Sequence, residues 1–119
     1  MIADDDPFFV QMLRAELAEY EELEVVGTAA NGAEAIDLVG QLEPSVVLMD
    51  VAMPVLDGVD AMREIRNLPN PPAVIVITGR EEEVTAHFAY REGAQAYLRK
   101  SADMPLLIGV IVAVAQAAA

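Results

Sequence analysis

The stretch Ser45-Val46-Val47-Leu48-Met49-Asp50 combines an apolar run of strand length with a carboxylate at its end. A short, continuous apolar run rich in β-branched residues is typical of a strand buried on both faces of a parallel sheet. An acidic residue directly after such a strand lies at the carboxyl edge of the sheet, where open α/β sheets bind their ligands. The stretch therefore predicts both a fold class and the position of a site.

Further apolar runs alternate with helical patterns along the chain, which predicts βα units around a parallel sheet. Right-handed crossovers place the helices of such units on both faces of an open sheet. The sequence therefore predicts one domain over residues 1–119 with an α/β, doubly wound (βα)5 fold. The five predicted strands span residues 1–3, 25–28, 45–49, 73–77 and 96–98, and the first is shorter than a central strand usually is.

Capping residues mark where the predicted helices begin. Asp6 before Pro7 predicts the start of the first helix, and Asn31 followed by Glu34 predicts the start of the second. A third helix is predicted over residues 59–67, a fourth from residues 81–83 to a left-handed end at Gly93, and a fifth over residues 104–118. The predicted buried positions of the first two helices are Val10, Leu13 and Leu17, and Ala35, Leu38, Val39 and Leu42.

The fifth predicted helix carries no charge from Met104 to Ala115. An apolar outer face on a surface helix is usually covered by another surface. The pattern therefore predicts either a two-fold pairing of chains or continuation of the helix beyond residue 119. The side predicted to face the sheet comprises Leu107, Val110, Ile111 and Val114, and the opposite, equally apolar side comprises Leu106, Ile108, Val112 and Ala113.

Charge and composition exclude several classes of function. The chain has 20 acidic and 7 basic residues and a formal net charge of −13, whereas nucleic acids and anionic lipids are bound by clustered Lys and Arg. The lack of cysteine excludes a disulfide scaffold, a thiolate metal site and a thiol nucleophile. The first residues form no signal peptide, and the longest apolar run is too short to span a bilayer. We therefore expect a cytoplasmic domain that binds neither nucleic acid nor membrane.

At the carboxyl edge of the predicted sheet, four of the five strands end in a polar or charged group. Carboxylates at Asp4, Asp5 and Asp50 repel each other in a partly buried cleft unless a cation binds. Oxygen ligands without His or Cys favour Mg²⁺. Acids in such positions also cap helices and line turns, and we assign that role to Asp6. The four strand ends are Asp4-Asp5-Asp6, Asp50, Thr78-Gly79 and Arg99-Lys100.

Lys100 and Thr78 bring an ammonium and a hydroxyl to the same edge. We expect Lys100 to pair with Asp50 at rest and with a phosphate later. A carboxylate nucleophile, a divalent cation, a lysine and a hydroxyl are the parts that phosphoryl transfer to aspartate requires. The constellation therefore predicts that Asp50 accepts a phosphoryl group.

The motifs along the whole chain resemble those of response-regulator receiver domains, which have the CheY-like, flavodoxin-like fold, and of the NarL/FixJ subfamily in particular. That subfamily often has histidine where this chain has Asp6, and many relatives have proline where it has Ser101. Each motif is weak alone, but together they are specific. The matching segments are Ile2-Ala3-Asp4-Asp5-Asp6-Pro7, Leu48-Met49-Asp50-Val51-Ala52-Met53-Pro54-Val55-Leu56-Asp57-Gly58, Ile77-Thr78-Gly79 and Gly93-Ala94-Gln95-Ala96-Tyr97-Leu98-Arg99-Lys100.

The resemblance implies a phosphorylation-dependent switch of a two-component system, with no enzymatic activity beyond its own phosphorylation and dephosphorylation. Asp50 would accept the phosphoryl group from a histidine kinase, a phosphotransfer protein or a small phosphodonor. Lys100 and Thr78 would contact the phosphoryl oxygens, and Tyr97 would change its exposure as Thr78 moves. Mg²⁺ would be held by Asp5, Asp50 and the backbone carbonyl of Ala52, with Asp4 acting through water.

The resemblance also bears on output. Receivers commonly pair through the fourth helix, fifth strand and fifth helix, so we expect a homodimer there with Arg91, Arg99 and Asp103 at its rim. In the family, the side chains at the positions of Ala52 and Arg80 edge the phosphate, and these two imply slow loss of the phosphoryl group. The sequence ends at residue 119 without an effector domain, which leaves open a helix-turn-helix output and a stand-alone receiver.

Two other families are disfavoured by single positions. A haloacid-dehalogenase-like phosphatase also forms an aspartyl phosphate, but it has a second acid two residues after the nucleophile, where this chain has Ala52. A flavodoxin-like electron carrier needs a phosphate loop rich in Ser, Thr and Gly after the first strand, where this chain has Asp4-Asp5-Asp6. A receiver used only as a binding module remains an alternative.

Overall fold

A computed structural model describes residues 1–53, 55–79 and 86–118. The strands are β1 (Ile2–Ala3), β2 (Thr28–Ala29), β3 (Val46–Asp50), β4 (Ala73–Thr78) and β5 (Ala96–Arg99). The helices are α1 (Pro7–Leu17), α2 (Gly32–Leu42), α3 (Gly58–Arg66), α4 (Ala86–Arg91) and α5 (Met104–Ala118). All strand pairs are parallel and the sheet order is β2-β1-β3-β4-β5. The predicted fold class is confirmed.

Alternate residues of the central strands enter two separate cores, because successive side chains of a strand point to opposite faces of the sheet. One core packs β3 and β4 against α2, α3 and α4, and the other packs them against α1 and α5. Burial of each large apolar side chain stabilises the fold by about 1.5–3 kcal/mol. The first core receives Val47, Met49, Val74 and Val76, and the second receives Leu48, Ile75 and Ile77.

The second strand differs from the prediction of residues 25–28. It comprises Thr28–Ala29, which pair with Ile2 and Ala3 of β1. In the described part of the chain, β1 comprises Ile2–Ala3, so its pairing with β2 does not extend to Val25 and Val26. A groove of about 350 Å³ lies there, lined by these two valines and by Val46, among other residues.

The start of α1 is set by Asp6, as predicted. Its Oδ1 accepts hydrogen bonds from the backbone N–H groups of Phe8 and Phe9 at 3.0 and 3.4 Å, and Pro7 occupies the first turn. The buried residues are Phe9, Leu13 and Leu17, so the prediction of Val10 in this set is wrong. The Phe9 ring reaches the core at four-residue spacing from Leu13, which leaves Val10 half-buried at the edge.

Helices α2 and α4 follow the predicted capping pattern. Asn31 Oδ1 accepts a hydrogen bond from the Glu34 N–H at 2.8 Å, and Gly93 after α4 has a φ of 103°. Leu42 is 41% exposed, contrary to the prediction that it is buried, because it lies in the last turn of α2 on the wall of the open groove. The predicted start of the fourth helix at residues 81–83 lies outside the described residues.

Helix α5 is rotated relative to the prediction. Its buried residues are Leu107, Ile108 and Ile111, so the placement of Ile108 on the outer face is wrong. Val110 and Val114 are half-buried, and so is Val112, which packs against the same core. Of the predicted outer side chains, Leu106 and Ala113 are exposed. Within the described part of the chain, no helix has the length and apolar character needed to cross a membrane.

Candidate functional site

Four neighbouring strands deliver polar groups to one edge of the sheet. Asp50 is the last residue of β3 and Thr78 the last of β4, and Asp4 directly follows β1. Lys100 directly follows β5, and its backbone N–H donates a hydrogen bond to the carbonyl oxygen of Thr78 at 2.9 Å. The parallel pairing of these strands therefore brings together residues that are up to 96 positions apart in the sequence, from Asp4 to Lys100.

Asp50 is buried at the bottom of this site, with 3% of its surface exposed. Its Oδ1 accepts a hydrogen bond from the Ala52 N–H at 3.2 Å. Gly58, at the start of α3, donates its N–H to the carbonyl oxygen of Val51 at 3.1 Å. A Cβ on Gly58 would lie 2.1 Å from the carbonyl oxygen of Asp50, so glycine is what allows α3 to begin directly against the Asp50 backbone.

Three carboxylates converge beside Asp50. One carboxylate oxygen each of Asp4, Asp5 and Asp50 lies within 4.8 Å of the other two. Asp4 is buried and its Oδ1 accepts a hydrogen bond from the Asp6 N–H at 2.8 Å, whereas Asp5 is exposed. A compact set of oxygen donors with one member open to solvent fits a hard divalent cation such as Mg²⁺.

Lys100 places its ammonium among these acids. Its Nζ lies 2.8 Å from Asp4 Oδ2 and 3.4 Å from Asp50 Oδ2, so the closer partner is Asp4 rather than the predicted Asp50. The Nζ also lies 4.7 Å from the centre of the Phe9 ring. The ammonium thus has a carboxylate on two sides and an aromatic face on a third.

The electrostatics of the site are dominated by burial. Burial, and after it the charge of Asp4, raises the pKa of Asp50 to about 6, against the opposing effects of the Ala52 N–H and the Lys100 charge. Burial acts to lower the pKa of Lys100, but the hydrogen bond to Asp4 and the charge of Asp50 outweigh it, and the pKa is raised. The site therefore favours the charged form of the lysine and disfavours the charged form of the Asp50 carboxylate beside it.

Two of the remaining predicted site residues, Thr78 and Ala52, lie close to Asp50. Thr78 is 1% exposed at the end of the strand next to Asp50, and Ala52 follows Asp50 by two residues and is half-buried. Tyr97 on β5 is half-buried and packs against the core shared with α3 and α4. Arg80, predicted to edge the phosphate, lies outside the described residues.

Sequence reasoning missed the contact of Phe9 with Lys100. The four-residue spacing of Phe9, Leu13 and Leu17 was the available signal, since it places Phe9 on the buried side of α1. A second missed feature is the ion pair of Arg63 on α3 with Glu92 after α4, with Arg63 Nε 2.9 Å from Glu92 Oε2. It ties these two helices together on the surface.

Comparison with known proteins gives consistent matches. The chain matches the sequence model of the response regulator receiver domain over residues 1–112. It is 32% identical over 111 residues to the chemotaxis protein CheY of Halobacterium salinarum, covering 93% of this chain and 91% of that protein. It is 34% identical over 119 residues to the transcriptional regulatory protein DegU of Brevibacillus brevis, covering all of this chain but 50% of that regulator. The chain therefore spans only about half the length of that second relative.

Solved structures of related proteins also resemble this chain. The signal receiver domain of the putative response regulator NarL from Mycobacterium tuberculosis superimposes with a TM-score of 0.88 at 28% identity, covering 97% of this chain and 93% of that one. A CheX–CheY–BeF3–Mg²⁺ complex from Borrelia burgdorferi contains a chain that superimposes with a TM-score of 0.84 at 26% identity, covering 95% and 85%.

Proposed function

Because this chain belongs to the family of response regulator receiver domains of two-component systems, we propose that it is a signalling switch that accepts a phosphoryl group on Asp50. The observation that carries the proposal is the buried carboxylate of Asp50 at a strand end, with Asp4 beside it and the Lys100 ammonium 3.4 Å away. A carboxylate with a raised pKa in a cleft with a specific charge partner is typical of functional sites.

The proposed step is attack of an Asp50 carboxylate oxygen on phosphorus. A new P–O bond forms as the bond from phosphorus to the donor breaks, and the electron pair leaves with the donor, an imidazole nitrogen of a kinase or phosphotransfer histidine, or the carboxylate of acetyl phosphate. The product is an acyl phosphate. Lys100 and Thr78 then contact its oxygens, and Tyr97 changes its exposure as Thr78 moves.

The metal proposed for the site is Mg²⁺. Asp5, Asp50 and the backbone carbonyl of Ala52 would hold it, with Asp4 acting through water. When bound, the ion offsets the negative charge that the carboxylates and the phosphoryl oxygens share. Support comes from the all-oxygen donor set within 4.8 Å and from the Mg²⁺ in the complex that contains a structural relative.

The phosphorylation test is labelling by acetyl phosphate with Mg²⁺, followed by intact-protein mass spectrometry. We expect the mass to rise by one phosphoryl group in the parent chain and to stay unchanged in Asp50→Asn. Asp57→Asn is the matched control, because it is an acid-to-amide change in the same loop, and asparagine still caps α3 as Asp57 does through the Asp60 N–H at 2.9 Å. Equal labelling of Asp50→Asn would refute the assignment, and an unlabelled parent chain would favour the alternative of a binding module.

The metal ligands are separated by two neighbouring variants. Asp5→Asn is expected to weaken Mg²⁺ binding strongly, whereas Asp6→Asn keeps its capping role toward Phe8 and Phe9 and should bind Mg²⁺ nearly as the parent does. Titration with Mg²⁺ followed by NMR shifts gives both affinities. The opposite ranking would mean that the metal uses Asp6.

Partners and output follow from the same proposal. We propose a cytoplasmic phosphorelay in which a sensor histidine kinase or a phosphotransfer protein is the donor. The switch acts on the face formed by α4, β5 and α5, through which two chains pair. Exposed Tyr90 on α4 and Leu106 on α5, at 51% and 56%, support an apolar contact there, with Arg91, Arg99 and Asp103 exposed around it.

Pairing is tested by light scattering with and without a phosphoryl mimic. Leu106→Glu is the appropriate disruptive variant, because Ile108 is buried and a glutamate there would damage the core. Phe8→Glu on α1, also an exposed apolar residue at 81%, is the control. We expect a dimer that Leu106→Glu abolishes and Phe8→Glu leaves intact. A monomer in every state would refute the proposed pairing but would not contradict the proposed phosphorylation of Asp50.

A further inference from the structure

The aromatic ring of Phe9 forms one wall of the space that holds the Lys100 ammonium. The distance from Nζ to the ring centre is 4.7 Å, within the range of a cation–π contact. Phe9 is 7% exposed and packs in the core formed by Ile2, Leu13 and Leu48, among others. The ring is therefore held by the fold, while the lysine is the flexible member of the pair.

The ring differs in kind from the other two partners of the ammonium. Asp4 and Asp50 accept hydrogen bonds from the ammonium, with oxygen-to-Nζ distances of 2.8 and 3.4 Å. An aromatic face attracts the positive charge without accepting a conventional hydrogen bond, and the attraction is stronger where water is largely excluded. The side chain of Lys100 is 21% exposed, so most of it is out of water.

We propose that Phe9 is a positioning residue that keeps the Lys100 ammonium beside Asp50 while its hydrogen bonds pass from Asp4 to the incoming phosphoryl oxygens. The inference rests on the proposed phosphorylation of Asp50. The ring retains the charge during the exchange, so that the lysine does not swing into solvent when its bond to Asp4 breaks. The alternative is that Phe9 only fills the core under α1.

Fluorinated phenylalanines inserted at position 9 alone distinguish these roles. Successive fluorines weaken the attraction of the ring for a cation with little change in its size, so packing is nearly constant along the series. We expect the rate of labelling by acetyl phosphate to fall stepwise, by about threefold to tenfold at the most fluorinated ring. The same series at Phe8, whose side chain is 81% exposed, is the matched control and should leave the rate constant.

A second measurement combines an NMR signal, which needs no phosphodonor, with the rate of labelling. Ring-current displacement of the Lys100 side-chain NMR signals reports the contact directly, and Phe9→Leu should remove it and slow labelling while Phe8→Leu changes neither. A flat series at Phe9 in a chain that is labelled would overturn the positioning role alone. A parent chain that takes no phosphoryl group would instead overturn the proposed function, and this inference with it.

Discussion

The Nζ atom of Lys100 lies 2.8 Å from Oδ2 of Asp4, a buried acid that belongs to the candidate metal site. The lysine and a divalent cation therefore draw on the same carboxylate charge. Two cations near one carboxylate repel each other, so each weakens the binding of the other. The resting ion pair is thus part of what sets the affinity of the site for metal.

Replacing Lys100 with methionine removes the charge and keeps an unbranched side chain. We expect Mg²⁺ to bind about tenfold more tightly to Lys100→Met at low salt, with a smaller gain at high salt because ions screen the repulsion. Calorimetric titration measures the affinity, and Lys100→Arg, which keeps the charge, is the control. Weaker Mg²⁺ binding to the methionine variant would show that Lys100 supports the metal site instead.

A second prediction concerns pH in the absence of metal. Burial and the charge of Asp4 raise the pKa of Asp50 from 3.8 to about 6 in the folded chain, so the folded state binds this proton more tightly than the unfolded state does. The contribution of Asp50 to stability is therefore complete below pH 3.8 and is lost as the pH rises through about 6.

Asp50→Asn removes that dependence, because the amide does not titrate. As the pH rises from about 4.5 to about 7.5, the unfolding free energy of the variant should therefore rise by about 1–2 kcal/mol relative to that of the parent. This change is smaller than the pKa shift alone implies, because water at the site screens part of the interaction. Urea unfolding in EDTA at both pH values measures it. Asp37→Asn, an exposed acid on α2, is the control, and an equal gain in that variant would contradict the assignment to Asp50.

The positions of Asp4, Asp50 and Lys100 were predictable because each lies at the end of a predicted strand, and parallel strands bring such ends to one edge. The preference of Lys100 for Asp4 was not predictable. It depends on the path of a flexible side chain between two acids that lie within 4.8 Å of each other. Its contact with Phe9 depends in turn on the rotation of α1 against the sheet.

The orientation of α5 was ambiguous in the sequence for a physical reason. A helix without a charged face has no polar residues to mark the side that water covers. Both stripes were apolar, and only packing decided that Ile108 is buried while Leu106 is exposed. The prediction of β2 over residues 25–28 was wrong for a similar reason. A strand needs a neighbouring strand to pair with, and the pairing of β2 with β1 covers only Thr28 and Ala29, opposite Ile2 and Ala3.

A third prediction tests the close approach of α3 to the end of β3. In Gly58→Ala the new Cβ would meet backbone atoms, the Asp50 carbonyl oxygen at 2.1 Å and the Val51 Cα at 2.7 Å, and neither can yield as a side chain does. We expect a loss of about 2 kcal/mol or more in urea unfolding and slower labelling of Asp50. Gly109→Ala on α5, where nothing lies within 4 Å, should instead gain about 0.5–1 kcal/mol. A stable, normally labelled Gly58→Ala chain would contradict the steric argument.

A fourth prediction concerns Val55, in the loop between β3 and α3. Its φ is 69° and its side chain is 83% exposed, so a β-branched residue occupies a left-handed conformation with little burial to compensate. Val55→Gly should raise the unfolding free energy by about 1 kcal/mol, after the extra flexibility of glycine in the unfolded chain is subtracted. Val55→Ala, which keeps a Cβ, should gain less. Destabilisation by glycine would mean that the valine side chain makes a contact worth more than the strain.

The last prediction concerns the groove beside β1. The Met1 amine of this chain donates a hydrogen bond to the carbonyl oxygen of Val46 at 2.9 Å, and burial lowers its pKa to about 6. Continuing the register of β1 would set two added residues beside Val26 and Val25 of the neighbouring segment, over the groove of about 350 Å³. An engineered Ile-Val extension before Met1 should therefore lengthen the strand.

A Gly-Gly extension is the control that distinguishes two effects of the Ile-Val extension, displacement of the terminal amine and burial of added apolar side chains. In the parent chain the lowered pKa of the buried Met1 amine makes stability fall as the pH falls from 8.0 through about 6. Both extensions move the terminal amine away from that buried position. Only Ile-Val adds apolar side chains to the groove, each worth about 1.5–3 kcal/mol if fully buried. We expect Ile-Val to exceed Gly-Gly in thermal and urea unfolding at every pH, and both to flatten the pH dependence. Equal stability of the two extensions would show that the groove does not bury the added apolar side chains, because the backbone hydrogen bonds and the amine are the same in both.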